Sequence, residues 1–152
     1  MAVVNIKSDL FPERPLDSDA PDPAKARGRL IIATFAVSNL ATDNTLSKYL
    51  LATVPVDALW DEATSFKVDG WGFATVSIGT KTDIDALVTV ARSAGVYVNP
   101  VLVGDAKHGL PIWQALGMAA APESGWVDIY AHAPANATGA GALRGKLAYR
   151  FR

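Results

Sequence analysis

Residues 143–152 read LRGKLAYRFR, and this segment constrains the fold more than any other. Leu143, Leu147, Tyr149 and Phe151 fall on one side of a two-residue period. Arg144, Lys146, Arg150 and Arg152 fall on the other. Such alternation is the mark of a strand with one face in a core and one in water. It predicts a β-strand running to residue 152, closing a sheet whose outer face is basic at one edge. No residue in the segment has the character of a catalytic group.

The remaining pattern predicts a chain that is mainly β. Leu30–Ser38 (LIIATFAVS) is rich in branched side chains and reads as a buried strand. Thr42-Asp43-Asn44-Thr45 is turn chemistry. A second strand, Ser47–Val54, stops at Pro55. Ala58–Val68 alternates and reads as a strand with a bulge near Asp61. Asp69-Gly70-Trp71-Gly72 is a turn and Phe73–Gly79 a strand.

Asp83–Ala94 reads as the best helix, with Thr82 or Asp83 as cap, Gly95 after its end, and Ile84, Leu87, Val88 and Ala91 on one face. Val96–Val103 is strand-like, and Asn99-Pro100 makes it an edge. Leu110–Leu116 is a short helix with Pro111 in its first turn and Gly117 after it. Trp126–His132 is a strand, followed by a small-residue loop and then the basic strand. The expected fold is a β-sandwich or jelly roll with one or two short helices.

Residues 1–28 differ in kind. They hold four of the nine prolines (Pro12, Pro15, Pro21 and Pro23), with five acids and four bases and little periodicity. Pro21-Asp22-Pro23 reads as extended chain. Val3, Val4, Ile6, Leu10 and Phe11 form an apolar cluster there, which a purely disordered tail rarely keeps. This favours an extended N-terminal arm that orders against a neighbouring subunit. Residues 29–152 then form a single β-sandwich domain, a reasonable size for one core.

Composition excludes several functions. The absence of cysteine removes disulfides, thiolate metal sites and thiol nucleophiles. A net charge of −1 provides no global field for nucleic acid or an anionic membrane, so neither is an expected partner. No window approaches the ~20 apolar residues of a membrane span. The first residues lack a cationic leader and apolar stretch, so synthesis in a cytoplasm is expected.

Individual motifs carry little chemistry. Gly79-Thr80-Lys81-Thr82 lacks the contiguous Gly-Lys-Thr of a phosphate loop and is better read as a capping loop. Asp105 with His108, or Asp128 with His132 on one strand face, have no compact ligand spacing, so no metal or cofactor is expected. Asp83 and Asp85 open the predicted helix, where they complement its dipole. No Gly-x-Ser-x-Gly elbow occurs. Asn136-Ala137-Thr138 is a glycosylation sequon without a secretion signal. Among the four tryptophans, Trp71 in its Gly-Trp-Gly turn is expected to be exposed, whereas Trp60 and Trp113 read as core or interface aromatics.

Two stretches resemble a known family. Ser47–Pro55 (SKYLLATVP), preceded by its Asp/Asn-rich turn, is similar to the S-x-Y-x-L-A-x-(L/V)-P strand of small tailed-bacteriophage virion proteins. Trp113-Gln114-Ala115-Leu116-Gly117-Met118, then Pro122 and Val127–Tyr130, is similar to a W-x-x-L-G-L helix, a Pro-containing turn and a Y-D-L-x-L strand. Trp126-Val127-Asp128-Ile129 departs from the last of these. An Ala/Thr/Gly-rich loop before an L-R-x-x-Y strand completes the order, so the resemblance covers about residues 29–152. The arm and Val96–Gly109 have no counterpart.

The resemblance implies a capsid cement or decoration protein, non-enzymatic, on the outer surface of a phage head assembled in the host cytoplasm. Its implied partners are the major capsid protein and copies of itself, as a homodimer or homotrimer. Candidate interface residues are Ile6, Leu10, Phe11 and Pro12 of the arm, Trp71, and Arg150 and Arg152 of the basic strand. On this reading Arg150→Glu with Arg152→Glu leaves folding nearly intact. The competing expectations are a carbohydrate- or receptor-binding β-sandwich of a virion appendage and a small β-rich enzyme.

Overall fold

The computed structural model describes residues 29–151. The arm residues Ile6, Leu10, Phe11 and Pro12, and Arg152, lie outside that range. Nine strands form two antiparallel sheets: β1 (Arg29–Asn39), β2 (Lys48–Pro55), β3 (Leu59–Trp60), β4 (Ser65–Lys67), β5 (Thr75–Gly79), β6 (Val88–Ala91), β7 (Tyr97–Val98), β8 (Trp126–His132) and β9 (Gly141–Phe151). Sheet A has the order β1-β9-β4-β7, with β3 also paired to β9; sheet B has the order β2-β8-β5-β6. The chain crosses between the sheets at almost every connection. The result is the expected β-sandwich, with jelly-roll-like connectivity.

The terminal alternation explains sheet A. β9 pairs with β1 along its whole length, from Arg29 opposite Phe151 to Asn39 opposite Gly141. Its other edge pairs with β3 and β4. Leu143 and Leu147 are fully buried and Tyr149 is nearly so. Phe151, expected in the core, is 45% exposed, opposite Arg29 at the start of β1.

The bulge expected near Asp61 is a four-residue excursion, Asp61–Thr64, between β3 and β4. Thr64 Oγ1 donates to the Ala148 carbonyl at 3.1 Å and accepts from the Ala148 amide at 3.0 Å. The Asp61 amide donates to the same carbonyl at 3.0 Å. The buried Asp61 carboxylate accepts from Arg150 Nε at 2.7 Å and from the Ala63 amide at 2.9 Å. Asp61 and Thr64 thus supply partners to the Ala148 backbone and the Arg150 side chain across the interruption.

Three local expectations are overturned. Asp83–Ala94 is not a helix. Residues 83–87 form a loop, Val88–Ala91 is β6 and Arg92–Ala94 is a single 3-10 turn. The β-branched run Val88-Thr89-Val90 pairs with β5, Val76 opposite Val90, and that pairing outweighs the capping signals. Thr80 Oγ1 does accept from the Asp83 amide at 3.1 Å, but it closes a turn. A side chain at Gly79 would collide with the Asp83 carbonyl, so this turn requires glycine there.

Leu30–Ser38 is a strand but not a buried one. It is the edge of sheet A, with Leu30 and Ile32 facing solvent.

Trp71, expected at the surface, is 1% exposed. Its ring packs edge-on to Tyr49 at 5.1 Å and against Phe73 at 5.3 Å. The flanking glycines do make a turn, but one that tucks the indole inward. Gly72 lies where a side chain would collide with Asn39 and the Gly139 carbonyl. Burying so large an apolar surface outweighs the turn's tendency to be exposed.

The short helix is present as α1 (Ile112–Ala115), with Pro111 at its start and Gly117 at φ +73° after it. The Ile112 amide donates to the Ala58 carbonyl at 2.8 Å and ties it to β3. β7 is an edge, as Asn99-Pro100 implied.

Arg150 is the partner of a buried carboxylate, which argues against the expectation that Arg150→Glu with Arg152→Glu leaves folding nearly intact. We expect Asp61→Ala to lower unfolding free energy in urea by about 1.5–3 kcal/mol, the usual range for hydrogen bonds to charged groups. Arg150→Glu should destabilise the fold as well, by placing two carboxylates together.

Candidate interaction surface

Among the described residues the titratable groups do not converge on one centre. His132 is buried, and its Nε2 lies 2.7 Å from the Thr80 carbonyl oxygen. His108 Nε2 contacts Glu62 Oε2 at 3.0 Å. Asp128, on the same strand face as His132, instead accepts from Thr53 Oγ1 at 2.6 Å. Lys107 donates to the Ala86 and Leu87 carbonyls, and its burial holds the ammonium pKa below the usual value. Among the described residues no three His, Asp or Glu side chains could share a metal ion.

The outer face of sheet A is the more distinctive region. Lys67 on β4 lies directly opposite Arg144 on β9, and Tyr97 on β7 lies opposite Lys67. Lys146 sits two positions from Arg144, between Thr34 on β1 and Ser65 on β4. These residues line an open depression of about 280 Å³, and Lys67 and Arg144 border a second one of about 130 Å³. Tyr97 is 64% exposed.

Lys67 reaches Asp69 at 3.9 Å, both half in water, a contact of little strength. Arg144 and Lys146 have no ion pair among the described residues. Like charges directly opposite on neighbouring strands are destabilising. An anionic partner would relieve that repulsion, so the face is suited to receive one.

The core shapes this face through Gly145. A side chain there would meet the Ser65 carbonyl at 2.6 Å and the rings of Phe35 and Phe66 at 2.9 Å. Those rings fill the space beneath it, 5.8 Å between centroids. Arg144 and Lys146 on either side therefore point outward.

Sequence reasoning selected Arg150 and Arg152 of the basic strand. Arg150 is committed to Asp61, and Lys67 and Tyr97 were not singled out. Their strands meet only in the folded sheet, so no local window could show them. Trp126, also not singled out, is the exposed tryptophan, at 53% on the outer face of sheet B.

A second exposed feature lies in the loop between β1 and β2. Leu40 and Leu46 are 66% and 82% exposed. Leu46 holds a φ of 72°, a costly conformation for a side-chain-bearing residue. Its amide bonds the Ala133 carbonyl at 3.0 Å. Asp43 braces the loop by accepting from Tyr49 Oη at 2.6 Å and from the Leu40 amide at 3.0 Å. The Tyr49 bond, then the Leu40 amide, holds the Asp43 carboxyl below its ordinary pKa. Burial, then Asp43, pushes the Tyr49 phenol up to about 12.

No family model matches the chain, and no curated protein sequence matches it. Among solved structures, a chain of the cyanophage Pam1 capsid asymmetric unit is similar, with a TM-score of 0.54 and 14% identity. The two chains share a fold. The correspondence covers 93% of this chain and 99% of the other, so it is the whole sandwich that is alike and not one motif.

The brace gives a pH signature. Tyr49 has a raised pKa, so its contribution to stability is complete below pH 10 and is lost as pH rises toward about 12. The lowered Asp43 pKa contributes above about 3.8 and is lost at lower pH. Ultraviolet titration should show Tyr49 ionising late. Tyr49→Phe should remove that step and flatten the loss of melting temperature in alkali.

Proposed function

We propose that the protein is a non-enzymatic virion structural protein of the cement or decoration type. On this reading it binds the outer surface of a phage head and holds neighbouring major capsid subunits together. The observation that carries the reading is the near end-to-end likeness to a chain of a phage capsid. The sequence resemblance at Ser47–Pro55 and Trp113–Met118 points the same way.

The physical role suits the molecule. A clamp needs a rigid body and several modest contacts acting together, because linked contacts raise one another's effective concentration. The sandwich is the rigid body. The basic face of Lys67, Arg144 and Lys146, with Tyr97 beside it, is the proposed contact to acidic loops of the capsid. Residues 1–28, with Ile6, Leu10, Phe11 and Pro12, are the proposed second contact, an arm laid along a neighbouring subunit. Trp71 is withdrawn as a direct contact because it is buried.

Purified protein should co-sediment with heads lacking it and raise their heat resistance. Each exposed ion pair contributes ~0.2–1 kcal/mol, so Lys67→Glu with Arg144→Glu and Lys146→Glu should weaken attachment roughly ten-fold. Attachment should also weaken with added salt. Full binding by that triple variant would remove the basic face from the mechanism; no binding by the parent protein would remove the cement reading.

A glycan-binding appendage module is the second reading, and Trp126 is the observation that favours it. An exposed indole on the outer face of β8 can stack on a sugar ring. Glycan binding abolished by Trp126→Ala would replace the cement reading.

A further inference from the structure

Natural β-proteins protect their sheet edges, because unpaired N–H and C=O groups invite another strand. Among the described residues the two sheet orders end in four strands, β1, β7, β2 and β6. β7 has only two residues and β6 only four. β2 carries a register irregularity between Leu50 and Ala52, begins at Lys48 and ends at Pro55. Each of these is blunted by shortness, a bulge, charge or proline.

β1 has none of these devices. Its eleven residues pair with β9 without a register break, contain no proline and carry one charge, Arg29, at the very end. Its backbone has no partner on the other side among the described residues.

The core is also incomplete along this edge. On β9, Tyr149, Leu147 and Leu143 are 8%, 0% and 0% exposed. Their inward-facing neighbours on β1, namely Ile31, Ala33 and Val37, are only half-buried, as is Phe35. On the outer face Leu30 and Ile32 are 45% and 48% exposed. One more strand beside β1 would cover both rows.

We propose that this strand is β1 of a second copy, paired antiparallel about a two-fold axis at Thr34. The sequence of β1 is complementary to itself in that register. All eleven residues pair, with Arg29 opposite Asn39 of the second copy, so no like charges meet. On the inner face Ile31 falls opposite Val37, and the large Phe35 opposite the small Ala33. On the outer face Ile32 falls opposite Ala36. Shifting by two residues sets Phe35 opposite Ile31 or opposite itself, and leaves strand ends unpaired. Such self-complementarity is what an isologous two-fold interface requires. The axis runs perpendicular to the sheet, so the basic faces of both copies lie on the same side of one continuous sheet.

The proposal stands independently of any capsid and is tested on the full-length protein alone. Sedimentation should give a dimer. The chain has no cysteine, so Thr34→Cys supplies a single thiol. A short thiol-reactive cross-linker should join two copies of that variant, and should not join copies of Ser124→Cys. Ile32→Lys with Ala36→Lys places two like-charged pairs across the interface and should give a monomer. Ile32→Lys with Ala36→Glu places opposite charges there and should keep the dimer. A monomeric parent protein, a trimer, or a dimer in which Thr34→Cys does not cross-link would each overturn the proposal. So would a dimer that the paired lysines leave intact.

Discussion

The hydrogen bonds along both edges of β9 carry sheet A. One edge receives the eleven residues of β1, and the other receives β3 and β4 in turn. A strand in that position must satisfy two neighbours, and any irregularity in one of them has to be absorbed locally. Asp61–Thr64 does this with one hydroxyl and one carboxylate, each bonded to more than one partner. The Asp61–Arg150 contact pairs a buried carboxylate with a side chain 35% exposed, and it ties the excursion to β9. Because β9 is held on both sides, Arg144 and Lys146 are presented on a firm surface.

Much of this was legible in the sequence, and the failures share a cause. The strands β2, β8 and β9 and the short helix were readable because period, proline and glycine all agreed there. At Asp83–Ala94 the signals conflicted. Helical spacing and capping residues favoured a helix, while Val88-Thr89-Val90 favoured a strand, and partner β5 decided. At Trp71 the turn was legible but its direction was not, since that depends on the cavity formed by Tyr49 and Phe73. β1 looked buried because its composition is apolar. Composition reports what a segment would prefer to have covered, not whether this chain covers it.

The surface follows the same logic. Lys67, Tyr97, Arg144 and Lys146 are scattered in sequence and become neighbours only through register. Repulsion among them is a modest cost within the isolated chain. A cost retained at a surface is better evidence for a partner than an exposed apolar residue, because scattered apolar exposure is ordinary. The β1 edge is different again. Its exposed residues alternate with a half-buried inner row that belongs to the core, and its outer edge has no partner among the described residues, so one neighbour would satisfy all three.

The pairing of β1 with β9 also governs how the molecule is made. Residue 29 meets residue 151, so the first described strand of sheet A waits for the last. Until then LIIATFAVS is an apolar, uncharged, β-prone segment with nothing to pair with, the character of an aggregation-prone stretch. Sheets built from distant strands fold slowly, in about milliseconds to seconds. Sheet B, whose strands all lie between residues 48 and 132, can form first and offer a surface on which β1 rests. Yield from the ribosome therefore depends on how β1 is sheltered during that interval, and on how quickly residues 141–151 follow.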